Sequence, residues 1–351
     1  YNGYSDIFLA RHKKDGSNVF LNTYNHGALE IAEDVCIDAN RYIVLCGWVT
    51  PAILQQHNFL VKKLNQAGAT IWTNTFKIVD CDSRLRSISC DNTGNYYYTA
   101  GSVWDSTVAQ SDWIILRFDY NGNCIDTLRW NGGSDDDAYG ICVDKSGKIV
   151  VVGGTEISTW DIKIMRLSDT LSILWERTFD NGGFDCAYDV CVDDNNNIYI
   201  CGETEIGSES HLFVAKYDSA GNLLDNLDID VGDKARAYGI AYKDGEIYIT
   251  GFRELAGDTD WVIVKLSDFT ILKFTADFDD TNNFYARKRL YTIEVDLFNV
   301  SGGNAIDTVY LEILKNGNVI FRSIYNRESS DPDSFEILTG SQYVIDQDSC
   351  Y

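Results

Sequence analysis

A chain of 351 residues is long enough for two domains, each with its own core. Its 53 acidic against 29 basic residues give a net charge of −24 and a pI near 4.4, which argues against nucleic acid or an anionic membrane surface as partner. No run of 18 apolar residues exists, so no membrane insertion is expected. The start at Tyr1 reads as a chain whose signal has been removed, or a numbering that begins at a mature end.

Residues 1–25 hold one strand–turn–strand pattern, Asp6 to Tyr24. Five longer units follow at roughly 30–78, 84–131, 136–181, 185–230 and 235–278. Each opens with a hairpin best seen in Tyr188–Gly202, YDVCVDDNNNIYICG. Cys36, Cys90, Cys142, Cys191 and Ala241 are expected to share one repeat position, and Cys46, Ala100, Gly153, Cys201 and Thr250 another. A second hairpin completes each unit and also forms the N-terminal segment. Its first strand is closed by a cation in all six copies: Arg11, Lys63, Arg117, Arg166, Lys216 and Lys265. Turns rich in Asp, Asn and Gly link strands of alternating polarity, as in Ile198-Tyr199-Ile200. Four strands per unit and a period near 50 residues predict an all-β propeller, with six blades of four antiparallel strands as the simplest closure. The N-terminal hairpin then takes its inner partner from upstream, from after residue 280, or from a neighbouring subunit.

The sequence D-I-x-x-x-R/K, W-x-x-T-F-x-x-G-G, A-Y-D-V-x-V-D resembles the SBBP type of β-propeller repeat. Trp160-Asp161-Ile162, Trp175 to Phe179, Gly182-Gly183 and Ala187 to Val190 carry it best. The resemblance covers about residues 4–278 and implies a propeller of a mostly uncharacterised secreted or surface family. From residue 281 to 351 the repeat is gone. Strands at Tyr291–Phe298, Thr308–Leu314 and Val319–Ile324, with a turn at Lys315-Asn316-Gly317-Asn318, are expected. This stretch resembles an immunoglobulin-like β-sandwich module of adhesion proteins, short for a complete one.

The repeat cations are expected to be structural, each pairing with a carboxylate of a neighbouring strand. Cross-strand disulfides are candidates at Cys36 with Cys46 and Cys191 with Cys201, while buried thiols at small-residue positions are the plainer reading. Cys350 is a candidate for pairing with another chain. Asp135, Asp136 and Asp137 are the best calcium ligands on offer, although turn chemistry alone accounts for such acids. Asn299-Val300-Ser301 is a glycosylation sequon. Repeated aromatics, Trp72 with Trp130 and Trp175, and Tyr139 with Tyr188 and Tyr238, are assigned to the blade core. No nucleophile elbow, P-loop, dinucleotide fingerprint, zinc spacing or Asp-box turn is present, so no catalytic residue and no cofactor are assigned. The expectation is a non-catalytic extracellular or cell-surface component: a structural or adhesive scaffold that contacts protein or glycan and assembles with neighbouring subunits into a surface layer, filament or virion. A propeller glycoside hydrolase or lyase, or a soluble ligand-binding propeller, is the alternative.

Overall fold

The computed structural model describes residues 6–25, 29–50, 57–77, 81–255 and 257–267, and the backbone of four strands beyond them. The chain divides into two compact units, Tyr1–Leu266 and Ser267–Tyr351. Asn299 and Cys350, and the expected last strand of the final repeat, lie outside the described residues. Every described element is a strand; no helix long and apolar enough to cross a membrane occurs among the described residues.

The first unit is a succession of antiparallel sheets. Strands β1 (Ile7–His12) and β2 (Asn18–Tyr24) form a hairpin. Four sheets of four strands follow in simple up-and-down order. They are β3 (Leu29–Ile37), β4 (Ile43–Thr50), β5 (Asn58–Leu64) and β6 (Thr70–Phe76); then β7 (Cys81–Cys90), β8 (Tyr96–Asp105), β9 (Gln110–Asp119) and β10 (Cys124–Trp130). Next come β11 (Asp136–Val143), β12 (Ile149–Glu156), β13 (Trp160–Leu167) and β14 (Ile173–Phe179), and β15 (Asp185–Val192), β16 (Ile198–Ile206), β17 (Glu209–Tyr217) and β18 (Leu223–Ile229). The last sheet holds β19 (Lys234–Lys243), β20 (Glu246–Leu255) and β21 (Asp258–Ser267). These are propeller blades: the first strands of consecutive sheets pack side by side, β3 on β7, β7 on β11, β11 on β15 and β15 on β19.

Alternation along the third strands sets the blade interfaces. Trp113 and Ile115 of β9 face forward onto Met165 and Leu167 of β13. Ile114, Leu116 and Phe118 face back onto Phe59 and Val61 of β5. Ile162 and Ile164 of β13 meet Phe213, Ala215 and Tyr217 of β17 in the same way. Ile7 and Leu9 of β1 pack on Leu60 and Leu64, so the N-terminal hairpin is the outer half of a blade.

A bulge breaks every first strand at the same place, between Ala32/Asp34, Leu85/Ser87, Ala138/Gly140, Ala187/Asp189 and Ala237/Gly239. The residue opposite is always glycine. A Cβ on Gly202 would stand 1.9 Å from the Cys186 carbonyl oxygen, and one on Gly101 2.0 Å from that of Arg84. Four of the five inner turns are closed by an aspartate that accepts two backbone N–H groups, as Asp38 does from Asn40 and Tyr42 and Asp193 from Asn195 and Asn197.

Register corrects three sequence alignments. The turn from Asp91 to Tyr96 holds one residue more than that from Asp38 to Tyr42, so Ser89, not Cys90, occupies the Cys36 position. Val152, not Gly153, matches Cys46. Trp130 lies opposite Trp113 at a strand end, whereas Trp72 and Trp175 lie opposite the repeat cations Lys63 and Arg166.

In the second unit, β22 (Leu297–Phe298) pairs with β25 (Ser334–Phe335), and β23 (Thr308–Lys315) with β24 (Asn318–Asn326). Lys315 pairs with Asn318 at the place where the sequence implies a hairpin turn. This hairpin is no copy of an inner blade hairpin. Its register shifts at Ile313/Leu314, two pairs from the turn, whereas that of β19 and β20 shifts at Ala237/Gly239, five pairs from it.

Candidate functional site

The five bulges each aim one extra side chain away from the ladder: Glu33, Arg86, Tyr139, Tyr188 and Tyr238. Because first strands are mutual neighbours, Arg86, Tyr139, Tyr188 and Tyr238 form a contiguous row across four blades. Tyr139 and Tyr188 meet edge to face with centroids 5.1 Å apart, as do Tyr188 and Tyr238 at 5.2 Å. The Arg86 guanidinium lies 4.8 Å above the Tyr139 ring. One blade before Arg86, Trp48 donates to Glu33 at 2.8 Å and stacks on His57 at 4.0 Å. The three tyrosines are therefore not blade core: Tyr139 and Tyr188 are half-buried and Tyr238 is 51% exposed.

Below this row, Glu203 is buried and shared between Tyr188, which donates its hydroxyl, and Arg236 at 2.8 Å. Burial first, then the neighbouring Cys186 and Glu203, push the Tyr188 phenol far above its ordinary range, and burial does the same for Tyr139. These phenols are hydrogen-bond donors at neutral pH, not bases. The row can stack flat ligands and donate hydrogen bonds; it presents no phenolate nucleophile.

The residue after each bulge stitches one blade to the next. Asp34 accepts from the Ile88 N–H and the Ser87 hydroxyl, Ser87 from the Ile141 N–H, and Asp189 from the Ile240 N–H. Burial raises the Asp189 carboxyl to about 6, against the lowering effect of the Ile240 and Val190 N–H bonds.

Four of the six repeat cations pair with carboxylates, as expected of all six, whereas Arg11 and Lys216 meet a backbone carbonyl and an aromatic ring. Lys63 lies 3.6 Å from Asp38 with both side chains fully buried, bonds to Tyr97 and sits over the Tyr120 ring. Arg166 pairs with Asp144 and reaches the Ser219 carbonyl of the next blade. Arg117 pairs with Asp126 at 2.8 Å, and Lys265 with Glu246 at 2.6 Å. Arg11 donates to the Gln66 carbonyl, and Lys216 lies over the Tyr199 ring.

Cys36 is bonded to Cys90, between neighbouring first strands, and not to Cys46. The ladder sets Cys36 opposite Val44 and Cys46 opposite Asp34, and Cys191 opposite Tyr199 and Cys201 opposite Asp189, so neither expected pair shares a rung. Cys46, Cys191 and Cys201 are free thiols. Asp135, Asp136 and Asp137 are used separately. Asp135 accepts from the Ser111 N–H, Asp136 from the Gly132 N–H and the Thr155 hydroxyl, and Asp137 from Tyr139. Consecutive strand residues alternate faces, which keeps these carboxylates from converging. A different trio converges, Asp161, Asp180 and Asp185, from two blades and the connection between them. Burial raises the carboxyls of Asp161 and Asp185, that of Asp185 to about 6, with the charges of their acidic neighbours adding to the effect.

No family model matches the chain, and neither does any curated protein. Solved structures with a similar fold include a protein of unknown function from Bacteroides caccae, 13% identical over 73% of this chain and 81% of that one, TM-score 0.47. The WD40 β-propeller domain of Doa1 is 13% identical over 74% and 86%, TM-score 0.41. The GH43 endo-arabinanase from Bacillus licheniformis is 14% identical over 66% and 92%, TM-score 0.38. With every score below 0.5, the architecture rests on the sheets and their packing: the chain is an all-β protein of repeated, four-stranded antiparallel propeller blades.

Proposed function

We propose that this chain is a non-catalytic, extracellular structural or adhesive propeller of the SBBP type, followed by an immunoglobulin-like module, and that copies associate through the two end faces of the blade series. One observation carries this reading. Trp261 and Ile263 occupy the forward-facing positions of the last described blade and are 90% and 76% exposed, whereas their counterparts Trp113 and Ile115 are 0% exposed. At the opposite end Phe8, on the backward face of β1, is 61% exposed, while Leu60, Ile114 and Phe213 at that position are 0–1%.

Each internal junction joins a forward face to a backward face, so the two ends are built to meet each other. Head-to-tail contact between copies satisfies both. Full burial of each such side chain is worth about 1.5–3 kcal/mol before the cost of association. The contact is heterologous, which leads to rings or filaments. The charge of −24 opposes it at low salt. Light scattering across protein concentration tests the proposal: mass should rise in steps above 39.5 kDa and fall back in Trp261→Ser. A constant monomer at all concentrations refutes it.

The bulge row favours a second reading, a ligand-binding propeller. Its stacked tyrosines and Arg86 suit a glycan or other flat polar ligand. A glycan screen in which Tyr238→Ala and Arg86→Ala abolish binding would support it.

A further inference from the structure

Two successive junctions between blades carry a polar site in the same positions. It is built from the residue that opens the third strand, one in the connection that follows the fourth strand, and one that opens the next blade. In the junction of β9 with β11 these are Asp112, Asn131 and Asp136. A cation is supplied there: Arg129 of β10 binds Asp112, and Asp136 is held by the Gly132 N–H and Thr155. One junction later the same positions are Asp161, Asp180 and Asp185.

The arginine has no counterpart in this junction. The position of Arg129, opposite Ile114, is that of Thr178, opposite Lys163. Lys163 is engaged by Glu176 at 3.1 Å and by the Thr178 hydroxyl. Burial raises the Asp185 carboxyl, and the charges of Asp180 and Asp161 add to it. Two like charges brought together in a low-dielectric site need a counter-charge or a shared proton.

Two buried oxygens point to which. Asp161 is 4% exposed and Asp185 is 0% exposed, and the Oδ1 atom of each has no hydrogen-bond partner. Their other functions are fixed: Asp185 Oδ2 accepts from the Asn181 N–H at 2.6 Å, and Asp161 bonds to Thr159. Asp180 is exposed and closes the trio from the solvent side. One oxygen from each of the three lies within 4.8 Å of the others. Ligands at about 2.3–2.6 Å from a calcium ion stand at most about 5 Å apart, while magnesium, at about 2.0–2.1 Å, draws them to about 4 Å.

We propose that Asp161, Asp180 and Asp185 bind one calcium ion, which locks the blade of β11–β14 to that of β15–β18. Water completes the coordination on the Asp180 side. The ion takes the place that Arg129 holds one junction earlier.

Terbium luminescence excited through the adjoining Trp160, and calcium calorimetry on the full chain, test this. The wild type should bind one ion, show terbium emission that calcium displaces and magnesium does not, and gain thermal stability with calcium. Asp161→Asn and Asp185→Asn should each weaken calcium binding at least tenfold, yet be no less stable than the wild type in chelator, because each removes a buried charge. Asp180→Asn, a surface change that leaves the fold intact, should also weaken binding and decides the matter where the buried variants do not fold. Glu209→Gln, at the other convergent group of Glu209, His211 and Asp230, should bind as the wild type does. Absence of saturable calcium binding, or affinity unchanged in Asp180→Asn and Asp185→Asn, overturns the proposal and leaves a shared proton as the counter-charge.

Discussion

Replacement of Lys63 by Met probes the repeat cations at their most buried member. The Lys63 Nζ and Asp38 Oδ2 atoms are 3.6 Å apart and neither side chain reaches solvent. With an effective dielectric constant of about 20, their attraction is about 4–5 kcal/mol. Burial lowers the lysine's pKa, so part of that attraction offsets the cost of keeping it charged. Lys63→Met leaves the Asp38 carboxylate buried, with only the Asn40 and Tyr42 N–H groups and the Tyr97 hydroxyl to hold it. The expected loss is about 3–5 kcal/mol, and Asp38→Asn in the same chain should restore much of it. Urea unfolding followed by tryptophan fluorescence measures both. Lys265 is the internal control: it bonds to Glu246 at 2.6 Å, but its side chain is 49% exposed, so Lys265→Met should give no resolvable change. Equal, small effects of Lys63→Met and Lys265→Met would refute the argument that burial, not repeat position, sets the strength of these pairs.

Two further outcomes follow from the inner strands. Asp189, raised to about 6 in the folded chain against about 3.9 when unfolded, binds its proton more tightly when folded. Its contribution is present in full below pH ~4 and is lost as the pH rises through ~6, on the order of 3 kcal/mol, so Asp189→Asn should flatten that part of the stability profile, and an unchanged profile would contradict the burial argument. The Cys36–Cys90 bridge spans a sequence separation of 54, for which loop closure gives about 4 kcal/mol; reduction, or Cys36→Ser, should lower unfolding stability by that order, and peptide mapping should find Cys46 and Cys201 as free thiols.

The sheets were legible because their causes are local. Alternating apolar residues, Asp-x-Asn/Gly turns and a period near 50 residues specify hairpins without reference to distant contacts, and β15–β18 follows its sequence pattern closely. The repeated glycines at 47, 101, 202 and 251 were visible too, but not their cause, and in the third blade register alone shows that Gly153 takes that place. Only the bulge opposite them explains why no Cβ fits, and the bulge turns Tyr188 and Tyr238 from expected core into a surface row. One extra residue in the turn after Cys90 was enough to defeat the cysteine alignment, because a one-residue slip exchanges strand faces. Asp161 and Asp185 lie 24 residues apart on different blades, and in a chain with 53 acids nothing in the sequence singles them out. What distinguishes them is the missing arginine, seen only by comparison with the junction before.

The most direct test of the assembly proposal uses two end-blocked chains. Phe8→Asp spoils the backward face and keeps Trp261; Trp261→Asp spoils the forward face and keeps Phe8. Each alone should sediment as a 39.5 kDa monomer. Mixed, they should form a single species of twice that mass, since one intact forward face then meets one intact backward face and growth stops there. Monomers in the mixture, together with a monomeric wild type, would contradict end-to-end association and leave the Trp261 surface without the role assigned to it.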